Sequence, residues 1–424
     1  MLSKDVLVAE FIASNPRSQE AFERARGILP GGNTRSVFHS FPFPLVLESG
    51  DGCEVTSLDG RVYTDFSSDF TAALYGHSNP VVHAALREIS STGFALGGIM
   101  EKEAEMGEII RNRIPSMKKI RFCNSGTEAN MYALATALVF TGRKKILVFD
   151  RGYHGGVISF PDRGNPLNMP HDFIVGKFDS IEGTQPLLST DIGAIIVEPL
   201  QAAGGVRPAS KEFLAFLRKA ADEIGAILIF DECVTSRLHF NGMQGALGVI
   251  PDMTVVGKYM GGGLPFGAFG GRDDIMDLYD PYSQGVGKAL FHSGTFNGNI
   301  FTLTVAIAVS KLVTAESIHR LNTLGDRLRT SAERIIQESG FEQIYFTGHG
   351  SEIGVHFRGD EPATVCEIFY YFLLKHGFMI GFRGFICLNL LHTEESVDRL
   401  LQCIQNFVDE YRDLSLSREL ACRL

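Results

Sequence analysis

The stretch Thr254-Val255-Val256-Gly257-Lys258-Tyr259-Met260-Gly261-Gly262-Gly263 joins a short β-branched run to a glycine-rich loop, with one lysine at the junction. Such a run is typical of a buried strand, and the glycines indicate where the backbone opens. A lysine at the end of a buried strand can lose its proton and attack a carbonyl carbon. Lys258 is therefore a candidate Schiff-base residue, although the pattern also fits a surface lysine in a turn.

Three further apolar runs precede this stretch, and helical patterns separate most of them; the runs are residues 146–149, 194–197 and 226–230. This alternation predicts an α/β fold with a parallel sheet that is buried on both faces. In such sheets ligands bind at the carboxyl ends of the strands. The candidate site residues are therefore those directly after the strands: Asp150 to His154, Glu198-Pro199, Asp231-Glu232 and Lys258.

The composition excludes several classes of protein. The chain has 424 residues, of which 45% are hydrophobic and 21% charged, and its net charge of −10 leaves no basic footprint for nucleic acid. No apolar run reaches the roughly 18 residues that span a bilayer. The seven scattered cysteines form no CxxC pair, which argues against a metal site and for a reducing compartment. We expect a cytoplasmic protein, although Cys422-Arg423-Leu424 loosely fits a peroxisomal address.

The order of elements divides the chain into three parts. Residues 1–74 combine helical periodicity with a small antiparallel sheet. Residues 75–300 carry the alternating strands and helices, and residues 301–424 read as α+β. We expect a large α/β domain in the middle of the chain and a smaller α+β region.

The segment Asn124-Ser125-Gly126-Thr127-Glu128-Ala129-Asn130 predicts the start of a helix. Ser125 and Glu128 fit a capping box, which is the purely structural interpretation. The hydroxyls and backbone N–H groups of Ser125-Gly126-Thr127 would also suit a phosphate, which the helix dipole favours.

Two more positions, Tyr153 and Asp231, fit a planar cofactor, each with a plain structural alternative, and a third, Thr295, is considered with them. Tyr153 could stack on a ring or simply cover the end of the sheet. Asp231 could hold a proton on a pyridine nitrogen or cap a helix. Thr295, in the turn-rich segment 292–296, adds a hydroxyl that signals little by itself.

Together these motifs resemble those of the class III, fold type I aminotransferases, in the branch that contains glutamate-1-semialdehyde aminomutases. The resemblance covers nearly the whole chain and rests on residues 124–129, 153–155, 198–199, 230–232, 257–271 and 294–296. It implies a fold type I enzyme with a large, mainly parallel sheet domain and a smaller α+β domain formed by both termini. It also implies pyridoxal 5'-phosphate as cofactor and a homodimer with active sites at the subunit interface.

The resemblance further implies residue roles. Lys258 would form the Schiff base and carry the proton, Asp231 would keep the pyridine nitrogen protonated, and Tyr153 would flank the ring. Thr295 would reach the phosphate of the neighbouring subunit. The implied cofactor-binding residues are Ser125, Gly126, Thr127, Tyr153, Glu198, Asp231, Lys258 and Thr295.

Within this branch the chain most resembles the β-phenylalanine (β-amino-acid) aminotransferases, on residues 33–37, 42–44 and 383–385. Matching arginines in that family hold a substrate carboxylate, so Arg35 and Arg383 are implied in this role, or else form structural ion pairs. Nearby aromatic residues hint at an apolar pocket: Phe38, Phe41, Phe43, Phe70 and Tyr75.

We therefore expect a transaminase that moves an amino group from an amino acid, such as the β-amino acid β-phenylalanine, to a keto acid such as 2-oxoglutarate or pyruvate. A glutamate-1-semialdehyde-type 2,1-aminomutase is the alternative. A catalytically silent protein with the same fold is a third interpretation.

Overall fold

The computed structural model describes residues 3–285 and 287–421, with side chains up to Tyr411. The terminal tripeptide considered above as a peroxisomal address lies outside the described residues. The chain forms two compact units: unit 1 contains residues 1–79 and 320–424, and unit 2 contains residues 80–319.

The helices begin and end at recognisable capping signals. Ser125 caps the N-terminus of one helix and Gly142, with φ of 67°, ends it. Ser210 and Gly225 do the same for another, which is the usual arrangement of a hydroxyl before and a left-handed glycine after a helix. The helices are α1 Lys4–Ser14, α2 Pro16–Arg26, α3 Pro80–Ile89, α4 Glu101–Arg113, α5 Gly126–Thr141, α6 Ile181–Thr184, α7 Lys211–Ile224, α8 Gly242–Leu247, α9 Asp273–Met276, α10 Pro281–Gln284, α11 Ile300–Ser310, α12 Ala315–Ser339, α13 Pro362–Lys375 and α14 Glu394–Ala421.

The strands belong to separate sheets in the two units. They are β1 Leu47–Asp51, β2 Glu54–Ser57, β3 Val62–Asp65, β4 Lys119–Cys123, β5 Lys145–Phe149, β6 Asp172–Gly176, β7 Ile192–Val197, β8 Leu200–Gln201, β9 Arg207–Pro208, β10 Ile227–Asp231, β11 Met253–Gly257, β12 Gly267–Gly271, β13 Ile344–His349, β14 Glu352–Phe357, β15 Phe378–Met379 and β16 Phe385–Cys387.

The large sheet of unit 2 has the order β4-β12-β11-β10-β7-β5-β6. Its pairs are parallel except that β12 runs antiparallel to both β11 and β4. The mainly parallel α/β sheet expected from the sequence is thus confirmed. The apolar runs predicted as strands became β5, β7, β10 and β11, and their order places the ends of β10, β7 and β5 side by side.

The large sheet is buried on both faces: every residue of the central strands β7 and β10 is buried, and all but Gly193 and Asp231 carry apolar side chains. One face, with Ile146, Ile196 and Ile229, packs against Ala133 and Leu134 of α5. The opposite face packs against α7, in a cluster that contains Leu147, Leu228, Phe230, Phe213 and Leu217. This double burial fixes the strand ends that carry the candidate site residues.

Unit 1 contains two smaller sheets, in the orders β1-β2-β3-β15 and β13-β14-β16. The strands β1, β2 and β3 pair antiparallel, and β15 adds to β3 in parallel. Both chain termini contribute to this unit, as the resemblance implied.

The boundaries of the units differ from those expected. We expected the last part of the chain to begin at residue 301, but residues 301–319 belong to unit 2. The reason is α11, which is almost wholly apolar and packs against α3 and α4 of unit 2. The first boundary falls between Asn79 and Pro80 rather than at residue 75.

No single helix among the described residues has both the length and the apolar character needed to cross a bilayer; the bent pair α11 and α12 meets that test only when the two are taken together.

Candidate active site

Lys258 directly follows β11 and begins a tight turn, Lys258–Gly261, that ends at Gly262. Its backbone φ is 53°, in the left-handed region that residues with a side chain rarely adopt. Gly262, with φ of 69°, has no room for a Cβ, which would lie 2.5 Å from Val305 Cγ1. The buried turn therefore keeps Lys258 in an unfavourable conformation, and such strain is most often found at functional sites.

Asp231 ends the neighbouring strand β10 and is 5% exposed. Its Oδ2 accepts hydrogen bonds from Asn130 Nδ2 at 2.8 Å and from His154 Nδ1 at 2.9 Å. Its Oδ1 accepts one from the Cys233 N–H at 3.1 Å. Burial raises the pKa of Asp231, but the hydrogen bond and charge of His154 outweigh it and hold that pKa below its usual range. The carboxylate thus stays ionised and can hold a proton on a partner nitrogen.

His154 is a site residue whose role the sequence did not reveal. It lies 2% exposed after β5, and because Asp231 is an acceptor, its Nδ1 carries the proton they share. Asn130 of α5 joins this pair, since its Nδ2 also donates to the His154 carbonyl at 3.1 Å. Both residues lay inside motifs noted above, yet only the folded sheet shows that they hold Asp231.

The N-terminus of α5 has the geometry of an anion-binding site. Ser125 Oγ accepts from the Glu128 N–H at 3.2 Å, as expected of the capping box. The other half of that box differs, because Glu128 Oε2 accepts from the N–H of Asn124 rather than that of Ser125. As first residues of the helix, Gly126 and Thr127 have N–H groups with no partner one turn earlier, and these can bind a phosphate.

Two glycines let side chains pack closely against the backbone at this helix terminus. A Cβ on Gly126 would lie 2.7 Å from Cys233 Sγ, and one on Gly155 would lie 2.4 Å from Thr127 Oγ1. A Cβ on Gly257, directly before Lys258, would lie 3.3 Å from the same sulfur. The Cys233 thiol therefore fills the space between the α5 terminus and the lysine strand. Burial, followed by the charge of Asp231, raises its pKa well above the ordinary value, so it stays a packed thiol.

Tyr153 and Glu198 occupy the strand ends beside Asp231. The Tyr153 ring is 47% exposed, as a residue that flanks a bound ring requires. Its N–H donates to Glu198 Oε1 at 2.8 Å, and the Ala202 N–H donates to Glu198 Oε2 at 3.4 Å. Glu198 is 6% exposed, and burial raises its pKa to about 7, opposed by the charge of His154 and assisted by that of Asp231. Glu198 thus holds the Tyr153 backbone.

Glu232, next to Asp231, has a structural role. Its carboxylate accepts from the Thr235 hydroxyl at 3.0 Å, the Met243 N–H at 2.7 Å and the Gln244 side chain at 3.0 Å. These bonds anchor the segment that follows β10 and leave the adjacent Asp231 free for the site.

Thr295 lies exposed in a turn, and in the described part of the chain no hydrogen bond joins it to Ser125, Gly126 or Thr127. The same turn is nevertheless tied to the helix terminus, since Asn124 Nδ2 donates to Asn297 Oδ1 at 2.7 Å. His292 anchors its other end, accepting from Arg121 Nε at 3.0 Å. Burial and the Arg121 charge lower the pKa of His292 to about 4, so this imidazole is neutral.

The two candidate substrate arginines belong to unit 1. Arg35 Nη1 lies 2.6 Å from Asp69 Oδ1, and its guanidinium carbon lies 4.3 Å from the centre of the Phe38 ring. Arg383 is exposed in the turn before β16. Of the aromatic residues expected to line a pocket, Phe43 and Tyr75 are instead core residues, 2% and 3% exposed.

The groups of unit 2 fit pyridoxal phosphate. An ionised buried carboxylate suits a pyridine nitrogen, the α5 terminus suits a phosphate, and a lysine follows the neighbouring strand. Asn130 Oδ1 is buried with no hydrogen-bond partner among the described residues, so a polar acceptor is still open beside Asp231.

Comparison with known proteins agrees with this chemistry. A family model described as aminotransferase class-III matches residues 38–160 and 167–408. An uncharacterized aminotransferase of Schizosaccharomyces pombe is 41% identical over 98% of this chain and 97% of its own length. A β-phenylalanine transaminase of Variovorax paradoxus is 39% identical over 94% of both chains. A glutamate-1-semialdehyde 2,1-aminomutase of Bacillus pumilus is 31% identical over 94% of this chain and 99% of its own length.

Among solved structures, a β-phenylalanine aminotransferase from Variovorax paradoxus superposes with a TM-score of 0.92, at 38% identity over 97% of this chain and 99% of the other. Fold, site and matches together define a pyridoxal-phosphate-dependent aminotransferase of fold type I. The chain belongs to the class III aminotransferase family. The expected family, activity and cofactor are thereby confirmed, whereas the roles of individual residues stay predictions.

Proposed function

We propose that this transaminase takes its amino group from a β-amino acid such as β-phenylalanine and passes it to a keto acid such as 2-oxoglutarate or pyruvate. The observation that carries the proposal is Arg35, whose guanidinium lies over Phe38 and near Phe70. A cation beside aromatic rings, one exposed and one partly buried, suits a carboxylate that is attached to an aryl group. The similarity to a β-phenylalanine transaminase over 94% of both chains supports the same substrate class.

Each unit 2 residue has a role in the proposed reaction. When bound, pyridoxal phosphate supplies an electron sink conjugated to the carbon that bears the amine. Lys258 Nζ would hold the group and would move the proton at the amine-bearing carbon of the substrate. Asp231 would hold the proton on the pyridine nitrogen, and Tyr153 would flank the ring.

The phosphate and the carboxylate are held by different groups. Ser125, Gly126 and Thr127 bind the phosphate through hydroxyls and backbone N–H groups. Arg35 and Arg383 hold substrate carboxylates, since a guanidinium matches a carboxylate in a bidentate pose.

We also infer a homodimer in which Thr295 reaches the phosphate of the partner subunit. Unit 2 exposes large apolar side chains near this turn and elsewhere, including Phe291 at 89%, Phe296 at 68% and Ile99 at 98%. Exposed apolar residues of this size are typical of an interface. Light scattering coupled to gel filtration should give twice the 46.5 kDa chain mass, and a monomer that is fully active would contradict this inference.

The decisive experiment is a donor screen of the cofactor-loaded enzyme with both enantiomers of α- and β-amino acids, using 2-oxoglutarate and pyruvate as acceptors. We expect one enantiomer of β-phenylalanine to be turned over faster than any α-amino acid. A preference for α-amino acids would overturn the substrate assignment and leave the transaminase class intact.

The aminomutase is the second candidate, because relatives of that activity align along nearly the whole chain. The two reactions can be distinguished by turnover in the absence of a keto acid acceptor. A transaminase given only a donor releases one equivalent of keto acid per site and stops, whereas an aminomutase given glutamate-1-semialdehyde continues to turn over. Sustained turnover of that substrate would favour the aminomutase.

For localisation we propose the cytoplasm, with the peroxisome as alternative through Cys422-Arg423-Leu424. The cysteines that the structure describes are free thiols, which suits a reducing compartment. Imaging of the full chain with a fluorescent protein at its N-terminus, with and without the last three residues, separates the two.

A further inference from the structure

Unit 1 contains a short segment with an unusual backbone. Ser68, Asp69, Phe70 and Thr71 have φ values of 43°, 44°, 50° and 80°. Residues with a side chain adopt such left-handed angles rarely and usually singly. Four in succession, none of them glycine, require strong anchoring and mark a candidate functional element.

Buried bonds anchor the left-handed turn 68–71. Asp65 Oδ1 accepts from the Ser67 N–H at 2.8 Å and the Ser68 N–H at 3.2 Å, and Asp65 Oδ2 lies 2.9 Å from His77 Nε2. Ser68 Oγ donates to the Cys387 carbonyl at 2.9 Å. Ser68 and Thr71 are fully buried, so the two middle residues of the turn are held in place by both of its ends.

The middle residues of the turn face Arg35. Asp69 Oδ1 accepts from Arg35 Nη1 at 2.6 Å, and the Phe70 ring centre lies 5.8 Å from the guanidinium carbon, with Phe38 closer at 4.3 Å. In the described part of the chain no other acceptor bonds to this guanidinium. The edge formed by Nε and Nη2 is therefore left for a ligand.

We propose that Asp69 is a positioning and specificity-determining residue for the substrate carboxylate at Arg35. By occupying Nη1 it leaves one edge of the guanidinium for bidentate docking, and so sets the orientation of the bound carboxylate. The inference rests on the proposed role of Arg35 in substrate binding.

The charge of Asp69 acts on the same ligand. A carboxylate on the open edge would share one guanidinium with the Asp69 carboxylate, and the two negative charges repel. Because the anchored turn holds the Asp69 backbone beside Arg35, this repulsion is built into the site. Asp69 therefore lowers the affinity for carboxylates while it restricts their orientation.

The test uses the holoenzyme, with 3-phenylpropanoate as an unreactive probe whose Kd is measured by calorimetry, and β-phenylalanine as substrate. Asp69→Asn keeps an acceptor for Nη1 and removes the charge. Asp69→Gly removes both. Asparagine and glycine each tolerate left-handed φ, so the turn should persist in both variants. Glu10→Gln is the matched control, because it breaks another exposed ion pair of unit 1, the 2.9 Å contact with Lys375.

We expect the Kd of 3-phenylpropanoate to fall about threefold to tenfold in Asp69→Asn, and this gain to shrink at high salt. In Asp69→Gly the Kd should also fall. The kcat should fall at least about threefold, because the substrate carboxylate can then also bind the side of the Arg35 guanidinium that Asp69 occupies in the native protein. Glu10→Gln should change neither. Tighter binding with slower turnover is a combination that a merely structural role would not produce.

Two results would overturn the inference. An unchanged or higher Kd in Asp69→Asn would remove the charge argument, and an unchanged kcat in Asp69→Gly would remove the positioning argument. Arg35→Gln separates these failures from that of the proposed function. If Arg35→Gln raises the Kd and Asp69→Asn does not lower it, Asp69 alone is misassigned; if Arg35→Gln leaves the Kd unchanged, the assignment of Arg35 fails as well.

Discussion

Replacing His154 by phenylalanine tests the electrostatic centre of the site. The substitution keeps a ring in a pocket where His154 is 2% exposed, and removes the donor 2.9 Å from Asp231 Oδ2. A hydrogen bond to a charged buried group contributes about 1.5–3 kcal/mol. Losing it should therefore raise the pKa of Asp231, because burial is then opposed by fewer hydrogen bonds and charges.

The pH dependence gives the sign of this effect. In the native protein the pKa of Asp231 is depressed, so its carboxylate contributes stability that is present above the unfolded pKa, whose ordinary value is 3.8, and is lost as pH falls through the folded pKa. In His154→Phe that contribution is lost. The difference in free energy of unfolding between native protein and variant should thus be smallest at low pH, where Asp231 is protonated in both, and should approach the lost hydrogen bond, about 1.5–3 kcal/mol, towards neutral pH.

Urea unfolding of the cofactor-free chain across this pH range measures the difference, and a titration with pyridoxal phosphate should show affinity weakened about tenfold or more. His171→Phe is the control, because His171 is a partly buried histidine of unit 2 that touches the Phe173 ring edge-on. Destabilisation that is equal at all pH values would refute the assignment of His154 as the partner that holds Asp231 ionised.

Three further perturbations test the rest of the site. Lys258→Ala should abolish transamination and the absorbance of the Schiff base, and retained turnover would remove Lys258 from its role. Gly126→Ala should weaken cofactor binding at least about tenfold, because the new Cβ would lie 2.7 Å from Cys233 Sγ. Gly107→Ala is the control, because a Cβ at Gly107 would meet only open space. The double variant Gly126→Ala/Cys233→Gly should recover the affinity for the cofactor. Burial raises the pKa of Glu198 to about 7 from its ordinary value of 4.5, so the cofactor-free protein should lose about 3 kcal/mol of stability as pH rises between these values. In urea unfolding, Glu198→Gln should lose less stability over the same pH range. If the stability of the variant depends on pH as that of the native protein does, Glu198 titrates normally.

The sequence predicted which residues lie at the strand ends, but not which of these residues contact each other. Asp231 and Lys258 could be found because each ends an apolar run, and runs of this kind form strands whatever their neighbours are. The contact between His154 and Asp231 depends on strand order, since β7 lies between β5 and β10 in the sheet. Nothing local to either residue encodes that order. For the same reason the sequence did not show that the Glu198 carboxylate accepts a hydrogen bond from the Tyr153 N–H, and its predicted cofactor-binding role stays a prediction.

Strands with weak apolar patterns were missed for a different reason. Strand β12 reads Gly-Ala-Phe-Gly-Gly, which local propensity disfavours. Its glycines are needed because neighbouring backbone comes close: a Cβ on Gly267 would lie 2.1 Å from the Ser125 carbonyl oxygen. The glycines that make this strand hard to predict from the sequence are the residues that let it pass close to Ser125, at the helix terminus proposed to bind phosphate.

The two candidate sites share one feature, which is left-handed backbone at residues other than glycine. Lys258 in unit 2 has φ of 53°, and the turn 68–71 in unit 1 has φ between 43° and 80°. Local preference favours glycine or asparagine at such angles, so a sequence pattern cannot predict them at lysine, aspartate or phenylalanine. Each conformation persists only because buried neighbours over-determine it, Gly262 against Val305 in one case and Asp65 with His77 in the other. The strain at Lys258 lies where the amine chemistry is expected, and the strain at Asp69 lies beside the guanidinium proposed to bind the carboxylate. Because backbone strain of this kind clusters at active sites and ligand-binding elements, the strain at Asp69 supports a functional test of the same kind as the strain at Lys258.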